Sequence, residues 1–74
     1  MDKRLIAEAR SAIADLSAFL STLDAILFEM ERAREPPVEM LDEFVSNARE
    51  LPTYTKRVLE AIQKVAGEIT RALK

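Results

Sequence analysis

The sequence predicts an all-α protein: a long antiparallel helical hairpin, its second arm kinked or broken at Pro52, pairing with another copy into a dimeric four-helix bundle. Three observations predict it. Apolar residues recur at alternating spacings of four and three along most of the chain, the pattern of amphipathic helices. Only Glu35-Pro36-Pro37 interrupts the stripe, which resumes beyond it. The stripe also takes about three positions in seven on each arm, more than a single neighbouring helix covers.

Helix 1 is expected over about 3–34. Leu5, Ala9, Ala12, Leu16, Phe19, Leu23, Ile26, Met30 and Ala33 form its seam, flanked at each seventh position by Ile6, Ile13, Leu20 and Leu27. Asp2 suits the N-cap, while Arg32 and Arg34 favour the negative end of the helix dipole. Each proline of the Pro36-Pro37 pair disfavours helical geometry in the residue before it, so the stop is firm. Pro37 suits the first turn of the next helix, with Glu39, Asp42 and Glu43 at its positive end. So short a connection makes the two helices antiparallel neighbours.

The second arm reads as helix 2 over about 37–51 and a continuation or third helix over about 53–73. Its seam is expected through Val38, Leu41, Val45, Ala48, Leu59, Ile62, Ala66, Ile69 and Leu73, flanked by Phe44, Leu51, Val58, Val65 and Ala72. Pro52 cannot donate to the carbonyl of Ala48, and Thr53 and Thr55 are weak helix formers that could cap a new helix. A compact three-helix bundle is therefore the alternative. The kinked hairpin is favoured because Phe44, Leu51, Val58 and Val65 keep one spacing through Pro52. Length agrees: at ~1.5 Å per residue, helix 1 and the whole second arm match to within about a turn.

A chain of 74 residues forms one small domain, whose single core seldom contributes more than ~3–5 kcal/mol net. With no cysteine and no histidine, disulfides are excluded and a structural zinc site is not expected. Helix packing and self-association remain. The formal charge of −2 argues against a nucleic-acid partner. Met1-Asp2-Lys3-Arg4 leads into an amphipathic segment rather than a secretory one. Residues 12–28 are apolar but carry Asp15 and Asp24, so the chain reads as soluble and cytoplasmic, with no membrane partner.

Catalytic chemistry finds no foothold. No imidazole is present to activate a nucleophile, and one glycine builds no phosphate loop. Asp15, Asp24 and Glu29 lie off the apolar seam, so a carboxylate-bridged metal pair in the bundle is not expected. Arg10, Arg32, Arg49, Glu50 and Gln63 supply the residue types of the all-helical chorismate mutases. The arginine-bearing stretch of that family is replaced here by Leu20-Ser21-Thr22-Leu23-Asp24, so the similarity is one of composition. No enzyme, cofactor or metal is expected.

Three further features bear on partners. The outer positions of helix 1 read Ala7, Ser11, Ala14, Ala18, Ser21 and Ala25, expected as small, alanine-rich positions of good helix propensity, with Phe28 tucked under the Pro36-Pro37 turn. The alternative is a second surface for close helix approach. Tyr54 beside Pro52 is expected to cover the kink with its hydroxyl in solvent. Carboxylates gather around the turn and cations at the chain ends, so two hairpins laid antiparallel would set unlike poles together.

The expected function is a self-associating structural or assembly module, with Leu16, Phe19, Leu23, Ile26, Phe28, Val58, Ile62, Val65 and Ile69 at the interface. Regular heptads without Cys, His or Trp suit a designed protein, whereas the paired prolines and Leu51-Pro52-Thr53-Tyr54-Thr55 are less idealised. The alternative is a small adaptor or co-chaperone covering an amphipathic helix of another protein. The expected architecture is similar to the helical-hairpin co-chaperones of type III secretion needle subunits and to Rop-like RNA-binding hairpin dimers, without a specific motif of either.

Overall fold

The structure, a computed structural model, describes residues Met1 to Leu73. Two helices account for nearly all of them: α1 (Lys3–Arg32) and α2 (Val38–Leu73). Asp2 caps α1 as expected. Its backbone is extended, and its carboxylate accepts from the Arg4 N–H at 2.8 Å. At the other end α1 stops at Arg32, two residues before the expected Arg34. Ala33 is already extended at φ −81° and ψ 136°, although its N–H still donates to the Glu29 carbonyl at 3.0 Å. The two prolines need extended backbone before them, and the chain leaves helical geometry early enough to make its reversal.

Pro37 stands just outside α2 rather than in its first turn. Its carbonyl accepts from the N–H groups of Met40 at 3.0 Å and Leu41 at 3.2 Å, the bonds that start the helix. From there α2 continues without interruption through Pro52. Glu43 and Leu59 thus lie on one helix, so the three-helix alternative does not hold and the arm is not broken. A proline removes one ladder bond, and the unbroken apolar rows on either side hold α2 together across it. Thr55 does not cap a new helix; its hydroxyl donates back to the Pro52 carbonyl at 3.2 Å.

Together the helices form a rod with extents of 58 × 17 × 16 Å. The α1 seam is the expected one. Ala9, Ala12, Phe19, Leu23 and Ile26 are buried, and Leu5, Leu16, Met30 and Ala33 are half-buried. The α2 seam is not. It runs through Met40, Phe44, Asn47, Leu51, Tyr54, Val58, Ala61, Val65 and Glu68, while Val38, Leu41, Val45, Leu59, Ile62, Ile69 and Leu73 stay exposed. Relative to the sequence reading, α2 is rotated about its axis so that the row expected to flank the seam becomes its centre.

The cause of that rotation is visible in the contacts. Ala61 meets Ala9 and Ala12, with Val58 and Val65 packed around them, and three small side chains let the backbones approach closely. Tyr54 lies flat on Phe19, with ring centroids 4.4 Å apart. Arg57 forms an ion pair with Asp15 and donates to the Ser11 hydroxyl at 3.4 Å. A seam through Leu59 and Ile62 would forgo all three sets of contacts. The apolar band of α2 is wider than α1 can cover, so these contacts select which part of it faces inward.

Candidate interaction surface

Heptad positions, with a and d in the seam, describe what the hairpin leaves open. On α1 the a/d residues include Ala9, Ala12, Leu16 and Phe19, which puts Ile6, Ile13, Leu20 and Leu27 at e. On α2 they include Leu51, Tyr54, Val58 and Ala61, which puts Leu41, Ala48, Thr55, Ile62 and Ile69 at e. Val38, Val45, Pro52, Leu59, Ala66 and Leu73 fall at b, beside e and farther from the seam. In an antiparallel helix pair the two e rows share one side and the two g rows the other.

The g side is polar. It carries Glu8, Asp15, Thr22 and Glu29 of α1 opposite Glu43, Glu50, Arg57, Lys64 and Arg71 of α2. The Asp15–Arg57 pair crosses the seam on this side, as the heptad geometry requires. Two shallow recesses open here. One is lined by Asp15, Ala18, Phe19, Thr22 and Tyr54, the other by Glu8, Arg57, Glu60, Ala61 and Lys64. The first has one carboxylate, already joined to Arg57, and neither has an imidazole or thiol.

The e side is apolar over the length of the rod. Ile6, Ile13, Leu20 and Leu27 are exposed along α1, and Leu41, Ile62 and Ile69 along α2, with Val45 and Leu59 beside them. The hairpin is thus amphipathic as a whole, in the way a single surface helix is. Among the described residues six apolar side chains are fully buried while thirteen large ones are exposed, so the hairpin leaves a large part of its apolar surface open. Large exposed apolar patches are a general feature of interaction surfaces, which makes the e side the candidate surface of this hairpin.

The expected interface residues divide three ways. Leu16, Phe19, Leu23, Ile26, Val58 and Val65 lie in or against the seam within the hairpin. Ile62 and Ile69 lie on the open face. Phe28 belongs to neither: it points outward at f, half its surface exposed, with the Arg32 guanidinium 5.4 Å from its ring centroid. Ile13, Leu20, Leu41 and Leu59 are surface residues the sequence reading left out of the interface. Ile13 and Leu20 are legible as flanks of the α1 seam, whereas Leu41 and Leu59 belong to the expected α2 seam and face outward only because α2 is rotated. Tyr54 is likewise half-buried on Phe19 rather than a cover for the Pro52 region.

Other features bear on partners. No group of His, Cys, Asp and Glu side chains among the described residues is placed to hold a metal ion. By length and composition α1 is apolar enough to cross a membrane, and little of its apolar window is buried in the hairpin. In comparisons with protein-family models, curated proteins and solved structures, the chain matches none.

Proposed function

We propose that this chain is a non-enzymatic, self-associating helical module whose role is assembly, two hairpins closing on their open faces into a four-helix bundle. The observation that carries the reading is the continuous apolar e side. Surface area supports it. The hairpin exposes 5945 Å². A compact monomer of 8.4 kDa exposes about 4,600 Å², so roughly 1,300 Å² is in excess. A standard interface takes about 800 Å² from each partner, within that excess. Two-fold dimers are the commonest closed assembly, and a dimer adds the second helix layer that each stripe lacks. On this reading Pro52 bends α2 slightly along the surface it presents to the second copy.

Water-soluble assembly is favoured over membrane insertion by Asp15 and Asp24 within the apolar part of α1. Each would cost ~2.5–3.5 kcal/mol near the middle of a bilayer. A nucleic-acid partner is disfavoured because Arg57 and Lys64 of the g side stand across from the carboxylates Asp15 and Glu8, so no uncompensated basic stripe forms.

Sedimentation velocity and light scattering at micromolar concentration test the proposal. Twice the chain mass, with one cooperative unfolding transition that shifts with protein concentration, is the expected result. A stable monomer with a cooperative transition would overturn it. A molten or aggregating chain would instead favour the adaptor reading, in which an amphipathic helix of another protein covers the e side.

A further inference from the structure

Resting on the self-association reading, we propose that the two copies pack e side to e side with their turns at opposite ends. Helix α1 then lies along α1 of the second copy, and α2 along its α2. The two-fold axis lies in the interface plane, perpendicular to the rod, near the level of Phe19 and Tyr54.

Symmetry supplies the first argument. A reversal of α1 about the point midway between Ile13 and Leu20 sets Ile13 against Leu20 and Ile6 against Leu27 of the second copy. Reversal of α2 about Thr55 sets Ala48 against Ile62 and Leu41 against Ile69. One axis can do both only if the two midpoints lie at the same height on the rod. The structure places them so, because the Asp15–Arg57 and Phe19–Tyr54 contacts hold this part of α1 opposite this part of α2. Thr55, the one polar residue in the two e rows, falls on the axis and meets its own copy, its hydroxyl proton already taken by the Pro52 carbonyl.

Charge decides against the other arrangement. Placing the turns at the same end also aligns apolar rows, since Ile6 would then meet Ile69. The poles, however, differ in sign. From Glu29 to Glu43 six carboxylates stand against two guanidiniums. At the opposite pole Lys3, Arg4, Arg10, Lys64 and Arg71 outnumber Asp2, Glu8 and Glu68. Turns at the same end bring like poles together, while turns at opposite ends bring each acidic turn beside the basic end of the other copy. Apolar burial supplies the affinity, and the charges select the direction.

Single cysteines report the arrangement cleanly because the chain has none of its own. Ile6→Cys, Leu27→Cys, Ile69→Cys and Thr55→Cys would be made separately, checked for helicity and mass, then oxidised. Ile6→Cys mixed with Leu27→Cys should give a covalent heterodimer, and Thr55→Cys alone a covalent homodimer. Ile6→Cys mixed with Ile69→Cys should stay unlinked. The reverse pattern would show turns at the same end and overturn the proposal. Dimers that link in none of these combinations would show that another face is used, which also overturns it. The mass of the unsubstituted chain separates these outcomes from failure of self-association itself, since a monomer rejects both readings and an unlinked dimer rejects only this one.

Discussion

Phe19 and Tyr54 stack across the seam with their ring planes 16° apart and their centroids at 4.4 Å. The pair fixes the rotation of α2 and the level at which the arms meet. An aromatic pair is worth ~0.5–1.5 kcal/mol beyond its area burial. Tyr54→Ala should therefore cost about 1–3 kcal/mol, the stack plus part of a half-buried ring. Tyr54→Phe keeps the stack and should change stability by less than ~0.5 kcal/mol. Urea unfolding followed by circular dichroism measures both, and equal losses would show that the hydroxyl matters more than the stacked ring.

Leu23 and Ile62 distinguish a hairpin that stays alone from one that assembles. Leu23 is buried within the hairpin, whereas Ile62 is exposed on the open face. Leu23→Ala should cost ~2–5 kcal/mol in either state. Ile62→Ala should cost that much only where a second copy covers the residue. Unfolding the two variants at low and high protein concentration checks this, the expected result being a concentration-dependent loss for Ile62 on top of a constant one for Leu23.

A charge placed on the open face should act as a test of side. Leu20→Glu should lower the assembled fraction sharply, because an unpaired carboxylate would be buried between copies. Ala14→Glu, on the outer surface of α1, should leave the mass unchanged. Light scattering reads both, and impaired assembly from Ala14→Glu would move the interface to the small-residue surface of α1.

Two backbone substitutions in α2 should be stabilising. Gly67 has open space where a Cβ would stand and lies within regular helix, so Gly67→Ala should gain up to ~1 kcal/mol. Pro52→Ala restores the donor facing the Ala48 carbonyl and should gain as much as ~3 kcal/mol, since helix already surrounds the position. Thermal unfolding checks each. A lower midpoint for Pro52→Ala would mean that the shape proline gives α2 is needed for assembly.

The Asp15–Arg57 pair should contribute little despite its central place. Both side chains are half exposed, so a double-mutant cycle with Asp15→Asn and Arg57→Gln should give a coupling of ~0–1 kcal/mol that falls with added salt. A larger, salt-insensitive coupling would show the pair to be shielded, as by a second copy on the g side.

The continuity of α2 through Pro52 was decided by the structure, while the sequence by itself determined the all-helical class, the first helix with its Asp2 cap and seam, and the turn at Pro36-Pro37. It could do so because seven-residue spacing, proline geometry and capping chemistry are local properties, readable a few residues at a time. It also showed that the stripes are too wide for one hairpin. Which third of the α2 stripe turns inward was decided only by tertiary structure. Val58 and Ile62 are equally apolar, and nothing within α2 ranks one above the other. The choice rests on what stands across the seam: alanines at Ala9 and Ala12 that admit Ala61, a ring at Phe19 for Tyr54, and a carboxylate at Asp15 for Arg57. Those contacts join residues far apart in the chain, and they leave Leu41, Leu59, Ile62 and Ile69 facing outward beside Ile13 and Leu20.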